Sequence, residues 1–201
     1  MYAEERTEHF DTDPGWYGLN NRSTSEMRPV VQDFGYRPAA GGAPASIGGT
    51  ITPDGHPAYY AKPIAPLSFD TPIRASGNLT VKKGGGNVLL GFFNSKTVNE
   101  WRTPNSLVFR INGRGDTFHA HIEYCTSKWR AGAGIFGTYD KAADRMYAIE
   151  NRSGGSYRWT MAYDPNGNNG AGCLTATLNE TTAVMNIDPE LRKDGALFNH
   201  F

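Results

Sequence analysis

The run Thr117-Phe-His-Ala-His-Ile-Glu-Tyr-Cys125 places two histidines and a glutamate at alternate positions. In an extended strand successive side chains point to opposite faces, so His119, His121 and Glu123 share one face with Thr117 and Cys125. Phe118, Ala120, Ile122 and Tyr124 share the other, and that alternation marks a half-buried strand. Two imidazoles and a carboxylate on an open face can grip a sugar, hold a metal or move a proton near neutral pH.

Those side chains need neighbouring strands to hold them. Gly113-Arg-Gly115 is a tight hairpin signal, so Ser106–Asn112 is expected to pair antiparallel with the histidine strand. Leu107, Phe109 and Ile111 then face inward, while Ser106, Val108, Arg110 and Asn112 join the histidines. Leu79–Lys82 and Asn87–Asn94 read as further strands around Lys83-Gly-Gly-Gly86, and Tyr157–Asp164 with Cys173–Leu178 as another hairpin. Earlier in the chain, short strands are expected at His9–Phe10, Val30–Phe34, Ile47–Thr52 and Ala58–Ala61. Helical spacing occurs in one stretch, Asp140–Glu150, with Ala142, Met146 and Ile149 roughly on one side; Met146–Ile149 fits a strand equally well.

Length and composition agree with this pattern. A chain of 201 residues can bury one sizeable core, and 24 glycines with 12 prolines suit many short strands joined by turns. Without an internal repeat or linker, residues 1–201 are expected to form a single all-β domain, a two-sheet antiparallel sandwich with at most one short helix. Its expected core is Phe109, Ile111, Phe118, Ile122 and Tyr124. The 20 basic and 20 acidic residues cancel, so no global field favours nucleic acid or an anionic membrane. No apolar run reaches the length of a membrane span, and the charged first residues lack the apolar core of a signal peptide. Two cysteines are too few for a zinc ribbon. Cys125 paired with Cys173 would close a loop worth about 4 kcal/mol and imply an oxidising compartment; two free thiols are the alternative.

Several segments carry a resemblance: Phe10-Asp-Thr-Asp-Pro-Gly-Trp-Tyr-Gly-Leu-Asn-Asn-Arg22, Gln32-Asp-Phe-Gly-Tyr36, Ile47-Gly-Gly-Thr50 and Pro57-Ala-Tyr-Tyr-Ala61. Gly91-Phe-Phe-Asn94, Ser106-Leu-Val-Phe-Arg110 and Trp159-Thr-Met-Ala-Tyr-Asp-Pro165 extend it. Together they resemble the concanavalin A-like lectin/glucanase (laminin-G-like) jelly rolls of bacterial extracellular proteins. The resemblance implies a jelly-roll topology, an extracellular or periplasmic location, membership of a larger protein and a carbohydrate or polysaccharide partner. Domains of this kind usually run on after a segment like Gly195–Phe201 into a further Asp-rich strand, so this chain is expected to lack a final strand. Fold alone does not choose among the lectins, hydrolases, lyases and adhesion modules that share it.

The residues weigh these choices. A retaining hydrolase needs two carboxyl groups about 5–5.5 Å apart, and the histidine strand offers Glu123 alone. The paired-carboxylate motif of the family's glucanases is absent, which leaves an inverting enzyme with a loop carboxylate. Lyase chemistry needs a base, a charge stabiliser and a proton donor, for which His119 or His121, Arg110 and a tyrosine such as Tyr163 are candidates. The strand motifs of jelly-roll alginate lyases are absent. A metal would draw on His119, His121 and Glu123, its identity unknown, against the plainer account of a polar face whose members satisfy one another. Calcium is the cofactor the fold analogy admits, with Asp11, Asp13 and the Asp164–Asn169 loop as oxygen donors. Sugar recognition needs aromatic platforms and a few polar groups. Trp101 and Trp129 beside turns, with Asn94 and Arg110 on strands, are the candidate substrate-binding residues. The expected function is a glycan-binding, lectin-like module. The alternative is a polysaccharide hydrolase or lyase with His119, His121 and Glu123 as its catalytic groups.

Overall fold

The alternation that marks the histidine strand recurs in its neighbours, and it builds two sheets that share one buried layer. A computed structural model describes residues 5–99 and 103–201. In chain order the first strands are β1 Tyr17–Leu19, β2 Arg22–Ser23, β3 Gln32–Arg37, β4 Ser46–Thr50, β5 Tyr59–Ala61 and β6 Pro63–Ser68. Next come β7 Ile73–Thr80, β8 Gly84–Phe93, β9 Ser106–Gly115, β10 Thr117–Cys125, β11 Ala131–Ile135 and β12 Gly137–Asp140. The last are β13 Arg145–Ala148, β14 Asn151–Arg152, β15 Ser156–Asp164, β16 Cys173–Leu178, β17 Thr181–Asn186 and, after the short helix α1 Pro189–Arg192, β18 Leu197–His200.

The large antiparallel sheet has the order β11-β10-β9-β8-β18-β6, and β14 also pairs with β10. A second sheet, β17-β16-β15-β7, lies against it, with smaller sheets β1-β5, β2-β3-β4 and β12-β13 outside. Inward residues of both main sheets form one core: Phe109, Phe118 and Ile122 are fully buried from one side, and Trp159, Met161 and Tyr163 nearly so from the other. The Phe109 ring lies 5.0 Å from Phe136 and 6.2 Å from Trp159. All five expected core residues are buried. The chain is thus an all-β antiparallel sandwich.

The β9–β10 hairpin sets the register that matters. Arg114 pairs with Thr117, which leaves a two-residue turn at Gly115–Asp116. Gly115 has φ +68°, a conformation glycine adopts at no steric cost. The turn therefore falls later than Gly113-Arg-Gly115, because Gly113 stays in the ladder. A Cβ on Gly113 would stand 2.4 Å from the Gly84 Cα, so the close approach of β8 requires a glycine there.

Other expectations change. Asp140–Glu150 forms no helix but the β12–β13 hairpin, because the Asp140 carboxylate accepts from the Ala142 and Ala143 amides and Asp144 turns the chain at φ +48°. His9–Phe10 is not a strand; Phe10 has φ +61°, and its ring packs edge-on against Trp16. The helix falls instead at Pro189–Arg192, where Asp188 caps the Glu190 and Leu191 amides and proline occupies the first turn. Leu197–His200 is itself a strand of the large sheet, between β8 and β6. Cys125 and Cys173 form no disulfide with each other.

Candidate functional site

The outward face of the large sheet is built in rows, since residues opposite one another in a ladder point the same way. One row is Leu89, Arg110, His121 and Ile135, on β8, β9, β10 and β11 in turn. The next row, about 7 Å along the strands, is Asn87, Asn112 and His119. Glu123 belongs to the row on the other side, opposite Val108 and Ala133. His119, His121, Glu123 and Arg110 therefore stand together, as the strand parity predicts.

Arg110 ties the cluster together. Its Nη1 donates to Glu123 Oε1 at 2.8 Å, and its Nε donates to Asn87 Oδ1 at 3.0 Å. Three of the guanidinium's five N–H donors are left without a protein partner among the described residues. The Asn112 side chain and both imidazoles, all half-buried, likewise make no hydrogen bond with the described residues. Burial lowers the His121 pKa below the usual histidine value, outweighing the opposite pull of Glu123, and Arg110 adds to the lowering. The ring is thus neutral at neutral pH, with one nitrogen to donate and one to accept. Arg110 pairs with Glu123 and Asn87, but the rest of its guanidinium, the histidines and the Asn112 side chain find no protein partner among the described residues, and the plainer account of this face fails for them.

Sequence parity also finds Asn87 once the β8 register is known; the hairpin signal alone does not reach a third strand. A second, aromatic patch lies on the same face roughly 13 Å farther along β8 from Leu89. Phe93 and His200 are in register there, and the Tyr59 ring lies 5.2 Å from Phe93 and 6.1 Å from His200. Tyr17, 55% exposed, rims it at 6.0 Å from Tyr59. Gly91 and Val108, between the two patches, are buried.

The remaining candidates sit elsewhere. Asn94 is buried, and its Oδ1 accepts from the Lys96 amide and Asn199 Nδ2, so it serves the loop after β8. Trp129 is half exposed, but it lies at φ +64° in the turn beyond Cys125, away from His121. Trp101 lies outside the described residues. Tyr163 is buried in the second sheet, where its hydroxyl donates to Phe69 O and accepts from Arg192, so it cannot reach the histidine face as a proton donor.

The metal and hydrolase arrangements find little support. Among the described residues no three His, Cys, Asp or Glu side chains gather as metal ligands. Among the described residues the calcium candidates do not gather three acidic ligands, and two already accept hydrogen bonds, Asp13 from the Gly15 amide and the Tyr60 hydroxyl and Asp164 from the Asn166 amide. Glu150 is held on Thr117 Oγ1, six residues along β10 from Glu123. That is roughly 20 Å, beyond either carboxylate spacing used by glycosidases. Comparison with family models, curated proteins and solved structures yields no match for this chain.

Proposed function

We propose that the outward face of the large sheet binds a carbohydrate chain and that the protein is a glycan-binding module rather than a hydrolase. One observation carries this reading: Arg110, Asn112, His119 and His121 hold unspent hydrogen-bonding groups on one half-open surface bordered by Leu89 and Ile135. Sugars present hydroxyls and C–H faces, and such a mixture of fixed polar groups and apolar edges suits both. The neutral net charge and the sequence resemblance to extracellular lectin-like jelly rolls point the same way. An extracellular setting belongs to the same proposal.

A second reading keeps its own support. A neutral His121 beside Arg110 has the makings of a base and a charge stabiliser for lyase chemistry on a uronate. The Glu123 carboxylate already offsets the charge of that guanidinium while leaving donors free for hydroxyls, which favours binding over turnover. A polysaccharide panel assayed for retention of the protein, for new reducing ends and for unsaturated products separates the two. Retention without products supports the binding module, whereas either product supports the enzyme. Loss of all three signals refutes both.

A further inference from the structure

The outward face of the large sheet does not end at β11. Gly134 and Phe136 look inward: a Cβ on Gly134 would stand 3.1 Å from the Ile122 side chain, and Phe136 is buried in the core. Ile135, between them, therefore points outward, as its register with His121 requires. A Cβ on Gly137 would stand 3.2 Å from Ile135 Cδ1, so Gly137 looks to the same side. The strand period of two carries that side on to Tyr139. Ladder partners share a face, which adds Ala148 opposite Gly137 and Met146 opposite Tyr139. The Phe136 amide donates to Ala120 O, so the β12–β13 hairpin springs from the sheet between His119 and His121.

Tyr139 and Met146 are 59% and 46% exposed, and the hairpin carries them beyond the Ile135 border of the polar face. The Tyr139 hydroxyl donates to the Asp144 carboxylate in the turn of the same hairpin. A ring held in this way loses little conformational freedom when a ligand stacks on it. Tyr147, of opposite parity, carries the Arg145 guanidinium over its ring at 4.2 Å from the centroid. Among the described residues no ring or cation covers Tyr139 in that way.

We propose that Tyr139 is the aromatic platform of the glycan site, its ring stacked on the C–H face of a sugar in a chain held by Arg110, Asn112, His119 and His121. The inference rests on the carbohydrate reading of that face and adds what its polar groups lack, a flat apolar surface. Ile135 and Tyr139 are four residues apart, roughly 13 Å along an extended strand, so the ligand is an oligosaccharide and not a single sugar. Trp129 lies away from His121, and Tyr139 takes the role expected of it. A protein partner needs a much wider apolar contact than Tyr139 and Met146 supply, whereas one aromatic ring suffices for one sugar ring.

Calorimetric titration tests the proposal, with a short oligosaccharide cut from the polysaccharide that retains the protein. Tyr139→Leu should weaken binding about tenfold, Tyr139→Phe should stay within about threefold of the parent chain, and Tyr147→Leu should bind as the parent does. NMR of the bound sugar reads stacking itself: its C–H protons should move upfield in the ring current of the parent chain and of Tyr139→Phe, and not with Tyr139→Leu. The parent and Tyr139→Phe spectra give an answer even if Tyr139→Leu misfolds. Equal affinity for Tyr139→Leu, or no upfield shift with the parent chain, would overturn the platform and leave the histidine face as the binding site. A panel that retains no protein would remove the carbohydrate reading itself and this inference with it. Self-association of the parent chain that Tyr139→Leu abolishes would assign the ring to a second copy and overturn the platform as well.

Discussion

Arg110 reaches Glu123 on a diagonal: the residue in register with Arg110 is His121, and Glu123 stands opposite Val108, yet Nη1 and Oε1 are 2.8 Å apart. Diagonal neighbours on a sheet lie farther apart than direct pairs, so the contact depends on the long guanidinium stem.

Breaking this pair should cost stability and couple the two sites. Side-chain exposures of 26% and 14% put it between a surface and a buried ion pair. Arg110→Ala is expected to lower unfolding free energy by about 1–2 kcal/mol, with part recovered when Glu123→Gln is added. A double-mutant cycle in urea measures the coupling. Additive effects would mean that the contact does nothing for the fold.

His121 gives a pH dependence with a fixed sign. Burial lowers its folded pKa, and it lowers that of His200 as well, so the unfolded chain binds protons at a pH where these folded rings do not. Their stabilising contribution is present above the unfolded histidine value of about 6.5 and is lost as pH falls toward the folded values. His121→Gln should flatten the stability curve below that pH while the share of His200 remains. An unaltered slope would contradict burial of the ring.

Tyr163 acts at the other end of the pH scale. Burial raises its hydroxyl to about 12, against the opposing effect of Arg192. Stability it contributes is present below the unfolded tyrosine value of about 10 and is lost as pH rises toward 12. Tyr163→Phe removes the hydrogen bond to Phe69 O and leaves Arg192 short of an acceptor. We expect a loss of about 1–2 kcal/mol at neutral pH and a weaker alkaline destabilisation, read by denaturation at pH 7 and pH 11.

Ile122 tests the strand parity directly. It is fully buried between His121 and Glu123. Ile122→Asp should cost about 4 kcal/mol or more, whereas His121→Asn, one residue away on the open face, should cost under about 1 kcal/mol. Similar costs for the two would reverse the assignment of faces.

These residues show how far the sequence could be read. Phe109, Phe118 and Ile122 were legible as core, and Arg110 as a neighbour of His121, because a strand with one buried face fixes its own parity and a short turn fixes the register of its mate. Asn87 was harder, because its place depends on a third strand whose glycine run Gly84–Gly86 reads as a turn and is in fact the start of β8. Asp140–Glu150 reads equally as helix or as a strand at Met146–Ile149, because a spacing of three or four apolar positions says nothing of the Asp140 turn that decides for the hairpin. Tyr163 was eligible as a proton donor until the second sheet placed its hydroxyl on Phe69 and Arg192. The aromatic patch of Tyr17, Tyr59, Phe93 and His200 draws on four separated segments, and no local pattern joins them.

The most direct test of the binding face follows the histidine ring resonances by NMR while a bound glycan from the panel is titrated in. His119 and His121 should shift with saturation, and His9, exposed and on no strand of the large sheet, should stay fixed. Saturable glycan binding that leaves His119 and His121 unmoved would place the ligand elsewhere and contradict the account.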